Sequence, residues 1–399
     1  MKKCIFGLIL FTLLACNGRK LPENEGISSP IQAARQEIAD LDRKGMIINS
    51  GPIYTYIQNL AQQVVPEEKR AENYKFYLVK NPQINAFATA DKTMIINLGL
   101  IARAENEVQL AQVIAHEMGH SLMNHVQEAF ENTRQKMKAA HFMDLALFGT
   151  GIAYLPFAAS LASYSQDHEN DADAYSVKRL SELGYDITKT DGLFKILSET
   201  KEVELQEGSI WSSHPGNKER IENVHKLVES GQYPTNAGGK ITSAEFEAIK
   251  KLAVIENTEL KLISRQYSLA ADSIEEQLKI DNSDPELYFL KGEAFRNMAE
   301  DPTGLAKEYA WINDEDYSDT KQKEMEAKKP EYLSTSINAY NNALKLNPNK
   351  LESYKGLGLA KRLNGDPTYV NELKIYLDNS NNPMDRLYIT RMLTQAAGD

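Results

Sequence analysis

The sequence predicts an α+β protein in two parts: a mostly helical domain with a small sheet, then an all-α domain of helical repeats. Three observations predict this fold class. Runs rich in β-branched and aromatic residues at 75–79 and 93–97 resemble strands, and a helical pattern with His116-Glu117-x-x-His120 follows them. Beyond about residue 241 the pattern is helical, and one motif recurs there.

Composition excludes some classes of partner. The chain has 399 residues and a formal net charge of −11, with a pI near 5.3. This acidity argues against nucleic acid, and against an anionic membrane surface, as a main partner. The hydrophobic fraction of 42% and charged fraction of 25% are typical of a soluble globular protein, and the length indicates two domains.

The first 16 residues have the pattern of a lipoprotein signal peptide. Lys2 and Lys3 form a positive region, an apolar run follows, and the segment closes with Leu13-Leu14-Ala15-Cys16, which resembles a bacterial lipobox. We therefore predict removal of residues 1–16 and lipidation of Cys16, with plain secretory cleavage as the alternative.

The segment after Cys16 helps to predict where in the cell the protein is located. Residues 17–30 are polar and are predicted to be a tether between the lipid and the fold. Because Asn17 is not an aspartate that would retain the protein at the inner membrane, we predict a lipid anchor in the outer membrane of the bacterial cell envelope, facing the periplasm. Neither cysteine would then remain free to form a disulfide.

The H-E-x-x-H motif predicts a metal site. Residues four apart lie on one face of a helix, so His116 and His120 can reach the same cation. We predict one Zn²⁺ per chain, because zinc accepts nitrogen and oxygen ligands in a tetrahedral shell. Glu117 would lie at the rim of the site and take a proton from water. The alternative is a chance pair of surface histidines.

A third ligand is predicted downstream. Glu169 and Asp173 are four residues apart in a helical pattern that Gly184 ends. Glu169 would complete a His-His-Glu site, and Asp173 could accept the free N–H of a ligating histidine. The same stretch offers further candidate ligands, and it could also be an ordinary acidic surface. These candidates are Asp167, His168 and Asp171.

Residues 142–164 are the most apolar stretch after the signal peptide. Their length would allow a membrane span, but a charge at Asp144 and breaks at Gly149, Gly151 and Pro156 argue against one. We predict a helical hairpin or loop packed near the active site.

A His-Pro pair precedes a further helix. His214-Pro215 is followed by a helical segment that carries Arg220. His214 could lie over the open metal position, where it would either polarise a carbonyl or keep the enzyme latent as a fourth ligand. Arg220 could pair with an acidic group near the metal or with a developing oxyanion. The alternative is a loop histidine without a role.

These motifs, in this order, resemble the zinc metallopeptidases that include the CAAX prenyl protease and the mitochondrial Oma protease. The nearest branch is that of the periplasmic beta-barrel-assembly-enhancing proteases, which carry tetratricopeptide repeats. The resemblance covers about residues 45–230 and implies a mostly helical, gluzincin-like HExxH domain, which we place at 31–235. It also implies the site residues. The implied zinc ligands are His116, His120 and Glu169, with Glu117 as catalytic acid/base, Asp173 as orienting group and His214 as gating or transition-state histidine.

Residues 241–399 contain a recurring pattern. Leu278 and Leu344, Tyr288 and Tyr354, and Gly292 and Gly358 are each separated by 66 residues, since 344 − 278 = 66. A repeat of about 34 residues with an insertion fits this offset and resembles degenerate tetratricopeptide repeats. We predict that the insertion, about 300–330, is a surface loop. The alternative is a plain helical bundle without a ligand.

Two functions remain open. In the first, the protein is a zinc endopeptidase that degrades misfolded or stalled outer-membrane proteins, and the repeats recruit these protein substrates or the outer-membrane assembly machinery. In the second, it is a chaperone or assembly scaffold with a latent or structural zinc site. Glu117 favours the first function, because a purely structural site does not need it.

Overall fold

The computed structural model describes residues 30–129, 164–190, 214, 217–381 and 383–398. The predicted signal peptide, nearly all of the tether and the apolar stretch at 142–163 lie outside these residues. Within the described ranges, no helix combines the length and apolarity needed to cross a membrane.

Residues 31–65 have a helical pattern with a break at Gly51-Pro52, and the structure forms two helices there. They are α1 (Pro30–Arg43) and α2 (Pro52–Val64). Gly51 adopts a φ of 95°, which favours glycine, and Pro52 occupies the first turn of α2, where its missing N–H costs no hydrogen bond. The structure adds a two-residue strand, β1 (Ile47–Ile48), that the helical pattern did not indicate.

A small mixed sheet lies beside these helices. The two predicted strands form as β2 (Lys75–Val79) and β4 (Thr93–Asn97), and they pair in parallel. The segment between them contains a third strand, β3 (Ala86–Ala88), antiparallel to β4. The order β1-β2-β4-β3 leaves β3 at one edge of the described sheet.

The helix with the H-E-x-x-H motif lies in the centre of this domain. A short α3 (Leu98–Arg103) precedes α4 (Glu107–Leu122), whose residues 107–120 are all buried. Asn106 caps α4 by accepting a hydrogen bond from the Gln109 N–H. Two more helices lie within the described residues up to 229. They are α5 (Gln166–Glu182) and α6 (Asn217–Glu229).

Close packing of α4 on α5 brings the two predicted metal-binding helices together. A Cβ atom added at Gly119 would lie 3.0 Å from the Cα of Ala172, so only glycine allows this separation without a shift. Ser165 caps α5 by accepting a hydrogen bond from the His168 N–H, and α5 ends before Gly184, whose φ is +80°.

The described residues from Ala244 onward are helical, as predicted. Three helical hairpins follow one another, with a final helix α15 (Arg386–Gly398). The hairpins are α7 (Ala244–Ile263) with α8 (Tyr267–Ile280), α9 (Pro285–Glu300) with α12 (Lys329–Leu346), and α13 (Leu351–Leu363) with α14 (Tyr369–Asn379).

The repeated glycines lie where the two helices of a hairpin meet. A Cβ at Gly292 on α9 would lie 2.5 Å from the Tyr340 ring on α12. A Cβ at Gly358 on α13 would lie 2.7 Å from Leu373 on α14. The 66-residue offset therefore relates two positions with the same packing role.

The prediction of a surface loop at about 300–330 was wrong. This segment forms α10 (Pro302–Ile312) and α11 (Asp319–Ala327), inserted between the two helices of the second hairpin. Pro302 is at the start of α10, and Asp301 accepts a hydrogen bond from the Gly304 N–H. Leu305 packs with the hydrophobic core of the hairpins. Most of the charged residues of the segment are exposed, and several of these lie on the two helices.

Candidate metal centre

The two histidines of the motif converge because α4 is regular. The Nε2 atoms of His116 and His120 are 3.0 Å apart, and their rings are 2% and 0% exposed. Burial is the main cause that lowers the pKa of His120, and the neighbouring histidines add to it, so this imidazole is neutral. A neutral imidazole is the form that binds a metal ion.

Glu169 on α5 faces both histidines. Its Oε2 is 3.4 Å from His116 Nε2, and its Oε1 is 3.5 Å from His120 Nε2. Burial raises the pKa of Glu169, but the charges of His214 and His116 and their hydrogen bonds outweigh it and lower the pKa overall. The rival candidates Asp167 and Asp171 are exposed on the same helix.

His214 joins this group. Its Nδ1 lies 2.9 Å from Glu169 Oε1 and 3.3 Å from His116 Nε2, and its side chain is 1% exposed. The four side chains can each offer a ligand atom within 4.8 Å of the others. Residues 211–213 and 215–216 lie outside the described part of the chain.

The donor set fits a zinc ion. Zinc bonds to nitrogen and oxygen are about 2.0–2.1 Å long, so neighbouring donors in a tetrahedron are about 3.3 Å apart. Five of the six pairs of donor residues are separated by 2.9–3.5 Å, which falls around this value. Three imidazoles and one carboxylate would hold the ion, and all four residues are buried.

Glu117 points into the same space without joining the group of four ligands. Its Oε2 accepts a hydrogen bond of 3.0 Å from the Ala88 N–H at the edge strand β3. Its Oε1 lies 3.3 Å from His214 Nε2. Burial raises the pKa of Glu117 above that of an ordinary glutamate, although the charges of His214 and His116 oppose this effect.

Asp173 and Arg220 lie on the other side of His116. Asp173 Oδ1 is 2.8 Å from His116 Nδ1, the nitrogen that faces away from the other ligands. Arg220 donates to both oxygens of Asp173, at 2.7 and 3.0 Å, and its Nη1 is 2.9 Å from Glu169 Oε2. The Arg220 guanidinium thus holds the two carboxylates of α5.

Burial and the neighbouring charges have opposing effects on the pKa values of Asp173 and His116. Burial raises the pKa of Asp173, but the Arg220 charge and His116 outweigh it and lower the pKa overall. Burial and the Arg220 charge lower the pKa of His116, whereas Asp173 and Glu169 raise it to about 9. A metal ion at His116 therefore competes with a proton.

Three groups at the site were not predicted from the sequence. The Tyr164 ring stacks on His120 with 3.9 Å between ring centroids, and His125 Nδ1 lies 3.1 Å from His120 Nδ1. The third group is the Ala88 N–H. The sequence shows that His125 follows His120 by five residues. A backbone N–H such as that of Ala88 cannot be recognised from the sequence.

A buried H-E-x-x-H helix that faces a glutamate on a second helix defines a zinc metallopeptidase domain of the gluzincin type. The comparison with protein families agrees. Residues 52–228 match the model of peptidase family M48, so this part of the chain is similar to these zinc metallopeptidases. This confirms the resemblance seen in the sequence.

Several curated proteins are similar to this chain. The beta-barrel assembly-enhancing protease of Escherichia coli is 24% identical over 208 residues, which are 49% of this chain and 43% of the relative. The metalloprotease LoiP of Escherichia coli is 30% identical over 165 residues, 40% of this chain and 63% of the relative. The mitochondrial metalloendopeptidase OMA1 of Schizosaccharomyces pombe is 21% identical over 206 residues, 50% of this chain and 60% of the relative. The chain thus spans less than half the length of the first of these relatives.

Proposed function

We propose that this protein is a zinc-dependent endopeptidase of the bacterial cell envelope that degrades misfolded or stalled outer-membrane proteins. The observation that supports this proposal most directly is the place of Glu117. Its carboxylate lies beside the four metal-binding side chains and is held there by the Ala88 N–H. A structural zinc site does not need a buried acid in this position.

The chemistry follows from the residues around the site. Zinc, when bound, supplies a Lewis acid that polarises the peptide carbonyl and makes water more acidic. Glu117 takes the proton of the attacking water and passes it to the leaving amide nitrogen. Its raised pKa suits both steps, because a base whose pKa is nearer to neutral also serves as an acid. Asp173 and Arg220 hold His116 and Glu169 in place.

The edge of the sheet offers a site for the substrate backbone. Asn97 N–H donates to the Asn85 carbonyl and Thr89 N–H to the Thr93 carbonyl, so residues 85, 87 and 89 face β4. The main-chain groups of Ala86 and Ala88 then point away from β4, as the bond from Ala88 to Glu117 illustrates. An extended peptide can add to such an edge by main-chain hydrogen bonds.

In this proposal, the described structure is a closed form of the site. His214 would be the fourth ligand, in the position that a catalytic zinc needs open. Ala88 at the sheet edge is buried against Val126, Ala129 and Tyr164. Cleavage therefore requires that His214 leave the metal and that the cover over β3 move. We propose that His214 keeps the enzyme latent.

The second domain and the N-terminus complete the proposal. The three helical hairpins, which we take to be tetratricopeptide-like repeats, would recruit protein substrates or the outer-membrane assembly machinery. The lipid on Cys16 would anchor the protein in the outer membrane, facing the periplasm. The name of the Escherichia coli relative, a beta-barrel assembly-enhancing protease, supports this choice of substrate class.

A second candidate function is a chaperone or assembly scaffold whose zinc site is structural. The convergence of four protein ligands favours it, since structural zinc sites have four protein ligands and no open position. The two candidates differ in what they require of Glu117, because a scaffold needs only the ligands.

A Glu117→Gln variant separates the two functions. The glutamine keeps the size of the side chain but cannot take a proton, so the endopeptidase should lose cleavage of casein by at least about a hundredfold. Its zinc content should remain near one per chain. The endopeptidase would be excluded if the wild type and the variant cleave casein equally, or if the variant functions in cells as the wild type does. Either result would favour the scaffold.

A further inference from the structure

A fourth histidine contacts the metal group from outside. His125 Nδ1 lies 3.1 Å from His120 Nδ1, and the His125 side chain is 4% exposed. His120 turns its other nitrogen, Nε2, towards His116 and Glu169. His125 therefore contacts the nitrogen of a zinc ligand that the metal does not use.

The direction of this hydrogen bond follows from the metal. A neutral imidazole carries one proton, and the nitrogen that binds a metal ion has none. His120 binds through Nε2, so its proton is on Nδ1 and is donated to His125 Nδ1. His125 must then carry its own proton on Nε2. We propose that His125 is a positioning residue that fixes the ring and the tautomer of the zinc ligand His120.

The two histidine ligands of α4 are oriented by different groups. His116 has a carboxylate at its Nδ1, since Asp173 Oδ1 is 2.8 Å away. His120 has a neutral imidazole in the same role. A carboxylate makes its histidine a more basic ligand than an imidazole does. His125 therefore supplies orientation with less added negative charge beside Glu169.

The backbone after α4 is shaped for this contact. On a straight helix, residues five apart are rotated by about 140°, so a continued α4 would carry residue 125 away from His120. Instead α4 ends at Leu122, and Asn124 adopts the left-handed region with a φ of 61°. Asparagine is one of the residues that tolerates this conformation. The turn brings His125 back over His120.

His125 is itself held in place by a second ring. The His125 and His168 rings stack with 4.2 Å between centroids and 11° between planes. His168 Nε2 is 3.2 Å from Glu128 Oε2, and its main-chain N–H donates to the Oγ of Ser165, the N-cap of α5. The stack joins the segment after α4 to the start of α5, which carries Glu169. His125 is thus fixed from both metal-binding helices.

Two substitutions at His125 test the proposal. His125→Phe keeps a ring that can stack on His168 but cannot accept a hydrogen bond, whereas His125→Gln keeps an acceptor. His225→Phe changes a histidine exposed on α6 and is the control. For each full-length protein, the zinc dissociation constant is measured by competition with a chelator, and the visible spectrum is recorded with Co²⁺ in place of zinc. Thermal unfolding of the metal-free proteins measures folding separately.

We expect zinc to bind about 10–100-fold more weakly to His125→Phe, with a changed Co²⁺ spectrum. His125→Gln should recover much of the affinity, and His225→Phe should match the wild type. Wild-type zinc affinity in His125→Phe would overturn the proposal. Equal losses in the Phe and Gln variants, with lower metal-free stability in both, would also overturn it and leave His125 a packing role.

This inference rests on the zinc site of the proposed function and not on peptide cleavage. The two can fail separately, because zinc affinity is measured without a substrate. If the variants show the predicted order of zinc affinities but the protein cleaves no peptide bond, the role of His125 is supported and the endopeptidase is contradicted.

Discussion

One imidazole connects the metal group to the proposed base: His214 Nδ1 lies 2.9 Å from Glu169 Oε1, and its Nε2 lies 3.3 Å from Glu117 Oε1. Under the proposed function, His214 would occupy the position that a water or a substrate carbonyl needs, and it also contacts the carboxylate that would activate the water. A single side chain can block both functions in this geometry.

Removal of His214 should activate the enzyme. In a His214→Ala variant the fourth ligand position is open in every molecule, whereas the wild type opens only a fraction of the time. If that fraction is about 1–10%, cleavage of casein should rise about 10–100-fold. The His214→Ala, Glu117→Gln double variant is the control and should be inactive. Loss of cleavage in His214→Ala with zinc retained would make His214 a catalytic residue instead.

The orienting role of Asp173 can be measured on the metal itself. An Asp173→Ala variant removes the acceptor of His116 Nδ1 and leaves the buried Arg220 with one carboxylate fewer. We expect zinc to bind about 10–100-fold more weakly. Asp171→Ala is a matched control, because Asp171 is exposed on the same helix. A greater loss from Asp171→Ala would restore Asp171 as a rival ligand.

The sequence predicted what is local in this site. His116 with His120, and Glu169 with Asp173, are pairs at a spacing of four residues, and a regular helix fixes their geometry. The mostly helical domain with its small sheet was predicted for the same reason, from the periods of its helices and strands. Zinc followed from the types of the ligands.

Contacts between distant segments could not be predicted in the same way. Arg220 and Asp173 are separated by 47 residues, and only the packing of α6 on α5 shows that they meet. The edge strand β3 is too short for a period to be visible, and its role depends on a backbone N–H. The sequence predicts a loop for the inserted segment because the segment is rich in charges. The N-cap residues of its two helices, Asp301 and Ser318, are not distinguishable among these polar residues.

A buried carboxylate at the start of α4 contacts residues just before α7. Glu107 accepts hydrogen bonds of 2.5 Å from Tyr185 Oη and Ser243 Oγ, and it forms an ion pair with Lys240. Burial raises the pKa of Glu107, but these partners outweigh it and lower the pKa overall. Ser243 also caps α7, the first helix of the hairpins. Glu107 therefore connects α4 to the start of α7.

A Glu107→Ala variant should lower the free energy of unfolding by about 2–4 kcal/mol, because it leaves buried donors without an acceptor. Urea unfolding at neutral pH measures the change. Glu68→Ala, an exposed glutamate in the same domain, is the control and should stay within about 0.5 kcal/mol of the wild type. A similarly small effect of Glu107→Ala would show that the cluster does not stabilise the fold.

The stability of the first domain should depend on pH through Glu37 on α1. Burial, with a smaller contribution from Asp40, raises the pKa of Glu37 from 4.5 to about 7. The folded protein then keeps a proton that the unfolded chain releases, so the free energy of unfolding falls as the pH rises from about 4.5 to about 7. A shift of about 2.5 pKa units, 7 − 4.5, corresponds to about 3 kcal/mol at most.

A Glu37→Gln variant should lose this dependence, because glutamine carries no charge at any pH. Urea unfolding at pH 5 and pH 8 gives the test: the variant should be the more stable protein at pH 8, and its advantage should shrink at pH 5. Asp42→Asn, which changes an exposed acid on the same helix, should leave the wild-type dependence in place. If Glu37→Gln and the wild type lose equal stability between the two pH values, Glu37 is ionised in the folded protein and the burial argument fails.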